Sequence, residues 1–219
     1  MWPLLFFSVV TVAIAIERSI YLLYHNLRVD DLLTKVSGFL TLGEISQAAE
    51  YLASQIKRRM GARIFLALIS RSKPGNGFSE RRAERAAETE AVNCINSLEN
   101  GFNFLTALGS LSPLTGFLGT VSGMIGAFRS IAEATEVNAQ IVANGIYEAL
   151  ITTVFGLVIA IIAMIFHSIF SHIVDKFTVR VEASCSDLIS QLAEQSVVRQ
   201  EDNKIEDKEN TQPASSNDE

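Results

Sequence analysis

The chain has 219 residues, 48% of them hydrophobic and 19% charged, with a formal net charge of -6. Its apolar residues gather in three blocks, and its mean hydropathy is positive, which argues against an ordinary soluble domain with one dispersed core. The acidic surplus sits largely in the C-terminal tail and calls for no basic partner.

The first block covers residues 2–16, is closed by Glu17-Arg18 and resumes through Ile20-Tyr21-Leu22-Leu23-Tyr24. A bilayer core of about 30 Å needs about 20 apolar residues as a helix, so residues 1–24 make a first transmembrane helix only with this second part included. A cleaved signal peptide competes for the block, because Ala13-Ile14-Ala15 resembles a cleavage site. No basic segment precedes it, and the apolar residues after Arg18 favour an anchor that stays in place.

Residues 25–100 read as a helical region, with Leu32-Leu33, Val36, Phe39-Leu40, Ala48-Ala49, Tyr51-Leu52 and Ile56 at helical intervals. Leu42-Gly43-Glu44 interrupts that run, and Arg71-Ser72-Lys73-Pro74-Gly75-Asn76-Gly77 is a loop. Ser79 is placed to cap the next helix. From there Ala83, Ala87, Ala91, Ile95, Leu98 and Phe102 predict one unbroken helix running into the second block. That block has no acidic or basic side chain from 100 to 128 and predicts a second span over 101–128. A short link over 129–140 leads to a third span over 141–173, a helical extension over 174–200 and a disordered acidic tail over 201–219.

Of the 18 Lys and Arg, twelve lie between blocks one and two, five follow block three, and only Arg129 lies between blocks two and three. The positive-inside rule then puts the N-terminus and the 129–140 link outside and the C-terminus in the cytoplasm. Cys94 and Cys185 both fall on the reducing side, where a structural disulfide is not expected. Lys57-Arg58-Arg59 reads as a solvated face near anionic lipid rather than a nucleic-acid contact. No metal-ligand spacing, phosphate loop or nucleophile motif is present, so neither an enzyme nor a cofactor is expected. His167 and His172 are five apart and do not stack on one helix face as metal ligands would.

Glu148 is the acid that interrupts the third block, and the next charged residue downstream is Asp175. An acid at the centre of a spanning helix costs roughly 2.5–3.5 kcal/mol by insertion scales, and it then faces a cavity, a pore or a partner. The alternative is an acid near the helix start, level with the headgroups. Small residues run beside it. Gly109, Ser112, Gly116, Gly119, Gly123 and Gly126 recur at steps of three and four in block two, and Gly145, Ala149, Thr153, Gly156, Ala160 and Ala163 do so in block three. Such stripes let helices approach closely in lipid. Thr120 and Glu148 lie about 14 and 18 Å from the outer link at 1.5 Å per residue, and Thr152 and Thr153 extend the polar track inward. Threonines can also simply bond back to their own helix.

Two stretches carry a family resemblance. Ser112-Pro113-Leu114-Thr115-Gly116-Phe117-Leu118-Gly119-Thr120-Val121-Ser122-Gly123-Met124 resembles the second transmembrane signature of the MotA/TolQ/ExbB proton-channel family. Gly145-Ile146-Tyr147-Glu148-Ala149-Leu150-Ile151-Thr152-Thr153-Val154-Phe155-Gly156-Leu157 resembles its third. The resemblance, strongest to the ExbB/TolQ branch, implies an all-α protein of the bacterial inner membrane with three transmembrane helices, assembled as a homopentamer around a pore. It implies that Glu148 is the channel carboxylate and that Thr120 and Thr153 are the two pore threonines. It implies a single-span ExbD/TolR-like partner, and work delivered to a TonB- or TolA-like protein. Ile162 stands where ExbB-type relatives often carry a proline, which leaves the helix bend of those relatives without its usual cause. A passive membrane scaffold, with Glu148 paired to a basic residue of a partner, remains the alternative. A solute transporter is disfavoured by the absence of an inverted repeat.

Overall fold

The computed structural model describes residues 2–71, 79–133 and 139–210, the side chains of 139, 141–142 and 198–210 excepted. The described residues are all-helical: α1 Trp2–Tyr24, α2 Asp30–Thr41, α3 Ile45–Gln55, α4 Met60–Ser70, α5 Glu80–Glu99, α6 Phe102–Glu133 and α7 Ala139–Asn210. Among the described residues three helical stretches are long and apolar enough to cross a membrane: Trp2–Tyr24, one within Glu80–Glu133 and one within Ala143–Val197. The chain forms two compact units, Met1–Tyr24 with Ser97–Asp175, and His25–Asn96 with Lys176–Glu219.

In the second unit α2, α3 and α4 bury Leu32, Val36, Leu40, Ala48, Leu52, Ile64, Phe65 and Leu68, all fully enclosed. The apolar α4 is a helix the sequence reading did not separate. At 11 residues it is too short to span a bilayer, and it serves as the centre of this core. The later part of α7 adds Phe177, Val181, Leu188 and Leu192. Arg180 pairs with Asp30 at 3.3 Å, and Ser37 donates to Gln191 at 2.9 Å. Arg59 departs from the expected solvated face: its side chain is 21% exposed and lies 3.8 Å from Asp31. Cys94 and Cys185 are both free thiols. Burial pushes the Cys94 thiol up, with Arg63 opposing and Glu90 adding to the rise. Burial, helped by the Glu182 carboxylate, pushes Cys185 up to about 12.

The expected unbroken helix from Ser79 into block two is broken. α5 stops at Glu99, and α6 starts at Phe102. Gly101 takes a left-handed φ of +91°, the conformation in which glycine ends a helix without a Cβ penalty. Arg18 occupies the space beside it, its Nε 3.1 Å from where a Cβ of residue 101 would lie. Arg18 is only 8% exposed. Its guanidinium donates to the Ser97 carbonyl at 3.4 Å, pairs with Glu17 at 3.2 Å and lies over the Tyr21 ring. The break is set by a long-range contact as much as by the glycine.

Two further boundaries differ from expectation. α6 continues past 128 to Glu133, where Arg129 and Glu133 pair at 2.9 Å one turn apart, so that helix fills part of the expected 129–140 link. The tail expected to be disordered from Glu201 continues α7 to Asn210, since Glu and Lys sustain a helix well; residues 211–219 lie outside the described residues. The predicted loop after Arg71, at 72–78, also lies outside them.

The small-residue stripes of α6 and α7 meet. A Cβ on Gly116 would lie 2.9 Å from the Thr152 carbonyl oxygen, one on Gly123 2.9 Å from the Ala149 Cβ, and one on Gly145 2.6 Å from the Ala127 Cβ. Gly156 faces the Ser112 carbonyl, Gly119 faces the Thr152 side chain, and Gly109 meets Met164. Gly126 departs from the expected stripe, with nothing within 4 Å. At about 100° per residue it has drifted about 100° from Gly109, whereas Ala127 completes whole turns and takes the place against Gly145.

Gly101→Ala forces a side chain into a left-handed backbone beside Arg18 and lowers stability by about 1–3 kcal/mol, read by thermal unfolding in detergent. Gly145→Leu or Gly123→Leu overpacks the α6/α7 contact and costs about 1–3 kcal/mol or more, whereas Gly126→Leu shifts stability by no more than about 0.5 kcal/mol. Because the thiolate is the reactive form, Cys185 resists maleimide at pH 7 to 9 in the folded protein and reacts at the ordinary rate once the chain is unfolded. Labelling followed by mass spectrometry reads the difference.

Candidate functional site

Glu148 lies on α7 in an apolar setting. Its neighbours Ile146, Tyr147 and Leu150 are 40%, 68% and 57% exposed, while Ala149 is buried. Ala149 packs on Gly123, so the backbone at Glu148 is held tightly against α6 while the Glu148 side chain is turned out of that contact. Its carboxylate has no hydrogen bond or ion pair among the described residues.

One turn along α7, two hydroxyls cross to α6. Thr153 donates to the Gly116 carbonyl at 3.1 Å. Thr152 donates to the Ala149 carbonyl at 2.7 Å and reaches the Gly116 carbonyl at 3.3 Å. A single carbonyl can serve both because Gly116 has no side chain and the backbones nearly touch. In a setting with no water to compete, such bonds are worth keeping and fix α7 in register on α6. Thr120 bonds to its own helix instead, donating to the Phe117 carbonyl at 2.6 Å. It follows Gly119, which packs on the Thr152 side chain, so Thr120 is level with Thr152 and about one turn along from Glu148. The structure thus brings Thr153 to Gly116, sets Thr120 level with Thr152 rather than with Glu148, and joins neither hydroxyl to the carboxylate.

The helix position of Glu148 relative to Thr152, four residues apart, puts both on one stripe of α7. The arrangement sets a carboxylate one turn along α7 from two hydroxyls that can donate and accept hydrogen bonds. Ile162, at the position where a proline would bend the helix, sits within uninterrupted α7 and lines an apolar hollow of about 350 Å³ with Leu4, Leu5, Phe155, Val158 and Ile159. Among the described residues no group of His, Cys, Asp and Glu is arranged to hold a metal. His167 meets the Phe102 ring edge-on at 6.0 Å.

Sequence reading passed over two polar residues here. Ser112 was counted only as a small residue, although it is the one hydroxyl of its stripe and directly precedes Pro113. Arg18 was read only as closing the first apolar block, and nothing local marks its contact with a glycine 83 positions away.

The chain matches the MotA/TolQ/ExbB proton channel family over residues 51–183. It is similar to the biopolymer transport protein ExbB of Salmonella typhimurium, 29% identical over 188 residues covering 84% of this chain and 75% of that protein. It is 35% identical over 170 residues to the biopolymer transport protein ExbB-like 3 of Synechocystis, covering 77% of this chain and 78% of that one. To the Tol-Pal system protein TolQ of Haemophilus influenzae it is 47% identical over 70 residues, covering 32% of this chain and 31% of TolQ. With three spanning helices, an acid on the third and a family match over more than half its length, the chain belongs to the MotA/TolQ/ExbB proton channel family.

Proposed function

We propose that this protein is the proton-conducting subunit of an inner-membrane motor, which couples the proton motive force to work on a periplasm-spanning TonB- or TolA-like partner. The observation that carries this reading is Glu148, an exposed acid with no partner in its own chain, set on an apolar spanning helix whose opposite face is packed too closely to turn. A structural acid would be expected to be paired; one that is presented outward is available to a pore or a second protein. The family match supports proton movement, and the ExbB and TolQ relatives support a motor driving transport or envelope work.

In this reading residues 1–24, 101–128 and 141–173 cross the membrane, with the N-terminus and the 129–140 link outside and the C-terminus in the cytoplasm. Five copies surround a pore that receives the helices of an ExbD/TolR-like subunit. Glu148 takes a proton from the outer side, exchanges it in contact with that subunit and releases it inward. Thr120 and Thr153 keep the walls on either side polar. The Thr152 and Thr153 bonds to Gly116 hold the acid at constant depth while the partner moves. The outer link is too short to make the work stroke, which explains why a partner must reach across the periplasm.

Glu148→Gln preserves shape and some hydrogen bonding but cannot titrate. It abolishes energised transport in cells while the complex is recovered at wild-type yield, and Glu148→Asp retains part of the activity. Normal energised transport in the Gln variant would leave Glu148 as a scaffold residue and end the channel reading.

A further inference from the structure

The turn between α3 and α4 carries Lys57-Arg58-Arg59, three cations in a row that the reading of Glu148 leaves without a role. The structure pins this turn beside the point where the chain leaves α1. The Asn26 amide donates to the Arg58 carbonyl at 3.1 Å. Asn26 lies two residues past Tyr24, the last residue of α1, and two residues extend at most about 7 Å. Chain continuity alone therefore keeps Arg58 within about 10 Å of the end of the first spanning helix. Tyr24 is 68% exposed, and an exposed tyrosine at the end of a spanning helix sits at headgroup level.

Positive charge is left over at this level. Arg28, Lys57 and Arg58 are exposed, and none of them has an ion pair among the described residues. The acids nearest to Arg28 are already engaged, Asp30 with Arg180 at 3.3 Å and Asp31 with Arg59 at 3.8 Å. Arg59 differs from its two neighbours in the run: it is turned inward, takes up Asp31 and leaves the other cations uncompensated. The Arg28 amide donates to Asn26 Oδ1 at 3.0 Å, which keeps Arg28 next to the residue bonded to Arg58. A nucleic-acid surface would need a longer basic stripe with aromatic platforms for the bases. A site for free phosphate would need enclosed donors, and these three side chains are open. Exposed cations beside a headgroup-level tyrosine fit the phosphates of a bilayer surface.

We propose that Arg28, Lys57 and Arg58 form a docking site for anionic phospholipid headgroups of the cytoplasmic leaflet. The guanidinium groups donate to phosphate oxygens in pairs, and the lysine ammonium adds a point charge. An anionic surface favours each such side chain by roughly fivefold, so three together select an anionic headgroup over a zwitterionic one. Headgroups bound here hold the α3–α4 turn, and the buried core that α4 centres, against the membrane surface. The inference is independent of Glu148 and rests only on the proposed topology, with the end of α1 on the cytoplasmic side.

The test uses the full-length protein in phosphatidylethanolamine nanodiscs with a photoreactive phosphatidylglycerol or a matching phosphatidylcholine probe, cross-links being located by mass spectrometry. In the wild type the phosphatidylglycerol probe is expected to label the segments around Arg28 and Lys57-Arg58 about tenfold more than the phosphatidylcholine probe. Arg28→Gln, Lys57→Gln and Arg58→Gln combined bring that preference to within about twofold of none, and each alone lowers it by roughly two- to fivefold. Arg71→Gln, Arg81→Gln and Arg85→Gln combined remove the same charge from exposed positions on other segments and leave the preference intact. No preference in the wild type, or an equal loss in this second triple variant, overturns the site. Displacement of the probe by an equal concentration of inorganic phosphate assigns the cations to a soluble anion instead, and displacement by a short DNA duplex assigns them to nucleic acid; either result overturns the proposal. Lys57→Cys in spheroplasts separates the site from the topology. Labelling by an impermeant maleimide from outside ends both, whereas labelling only after lysis, with no lipid preference, ends the site alone.

Discussion

The contact between α6 and α7 is the constraint on which the rest of the membrane part depends. Lipid offers no hydrophobic drive for two apolar helices to associate, so dispersion at close range and a few hydrogen bonds must hold them. Gly116, Gly123, Gly145 and Gly156 bring the backbones so near that an added Cβ would stand within 3.0 Å of the opposite helix at each of them. That approach lets the Gly116 carbonyl accept from Thr152 and Thr153. Those bonds in turn fix the rotation of α7 and therefore the direction of Glu148. Close packing on one side is what makes an acid on the other side usable: it cannot withdraw into its own chain.

The same logic gives the flanking polar residues their place. Hydroxyls of a lone spanning helix bond back to their own carbonyls, as Thr120 does, and carry little information. Thr153 differs because its acceptor is on another helix. Proline at 113 and glycine at 116 combine to leave carbonyl oxygens open to such partners, so a motif that reads as simple small-residue packing also supplies acceptors in the bilayer. At the other end of α6, Gly101 and Arg18 turn the chain between α5 and α6, which sets where the spanning helix begins.

Much of this was legible in the sequence. The three apolar blocks, the acid at 148 and the two stripes follow from composition and period alone, because lipid imposes helices and penalises charge. The stripe failed at Gly126 because a strict three-and-four alternation drifts around a helix of 3.6 residues per turn, and Ala127 was the residue in phase. The break at Gly101 was missed because a glycine within a helical period is tolerated as often as it terminates, and its deciding contact, Arg18, comes from a different helix. α4 was not separated because its run of 11 residues is short and mostly apolar, with Arg63 and Ser70 its only exposed residues to mark the period. The bonding of Thr153 depends on the register of two helices, which no single-segment pattern carries.

The central claim is that Glu148 changes protonation as protons cross the membrane. Carbodiimides react with protonated carboxyls, so labelling of Glu148 in sealed native membranes, read by mass spectrometry, reports its protonated fraction. The account predicts that labelling rises when the side facing the α6–α7 link is acidified and falls when the gradient is collapsed. Labelling that is the same at every external pH, with and without the gradient, would contradict it.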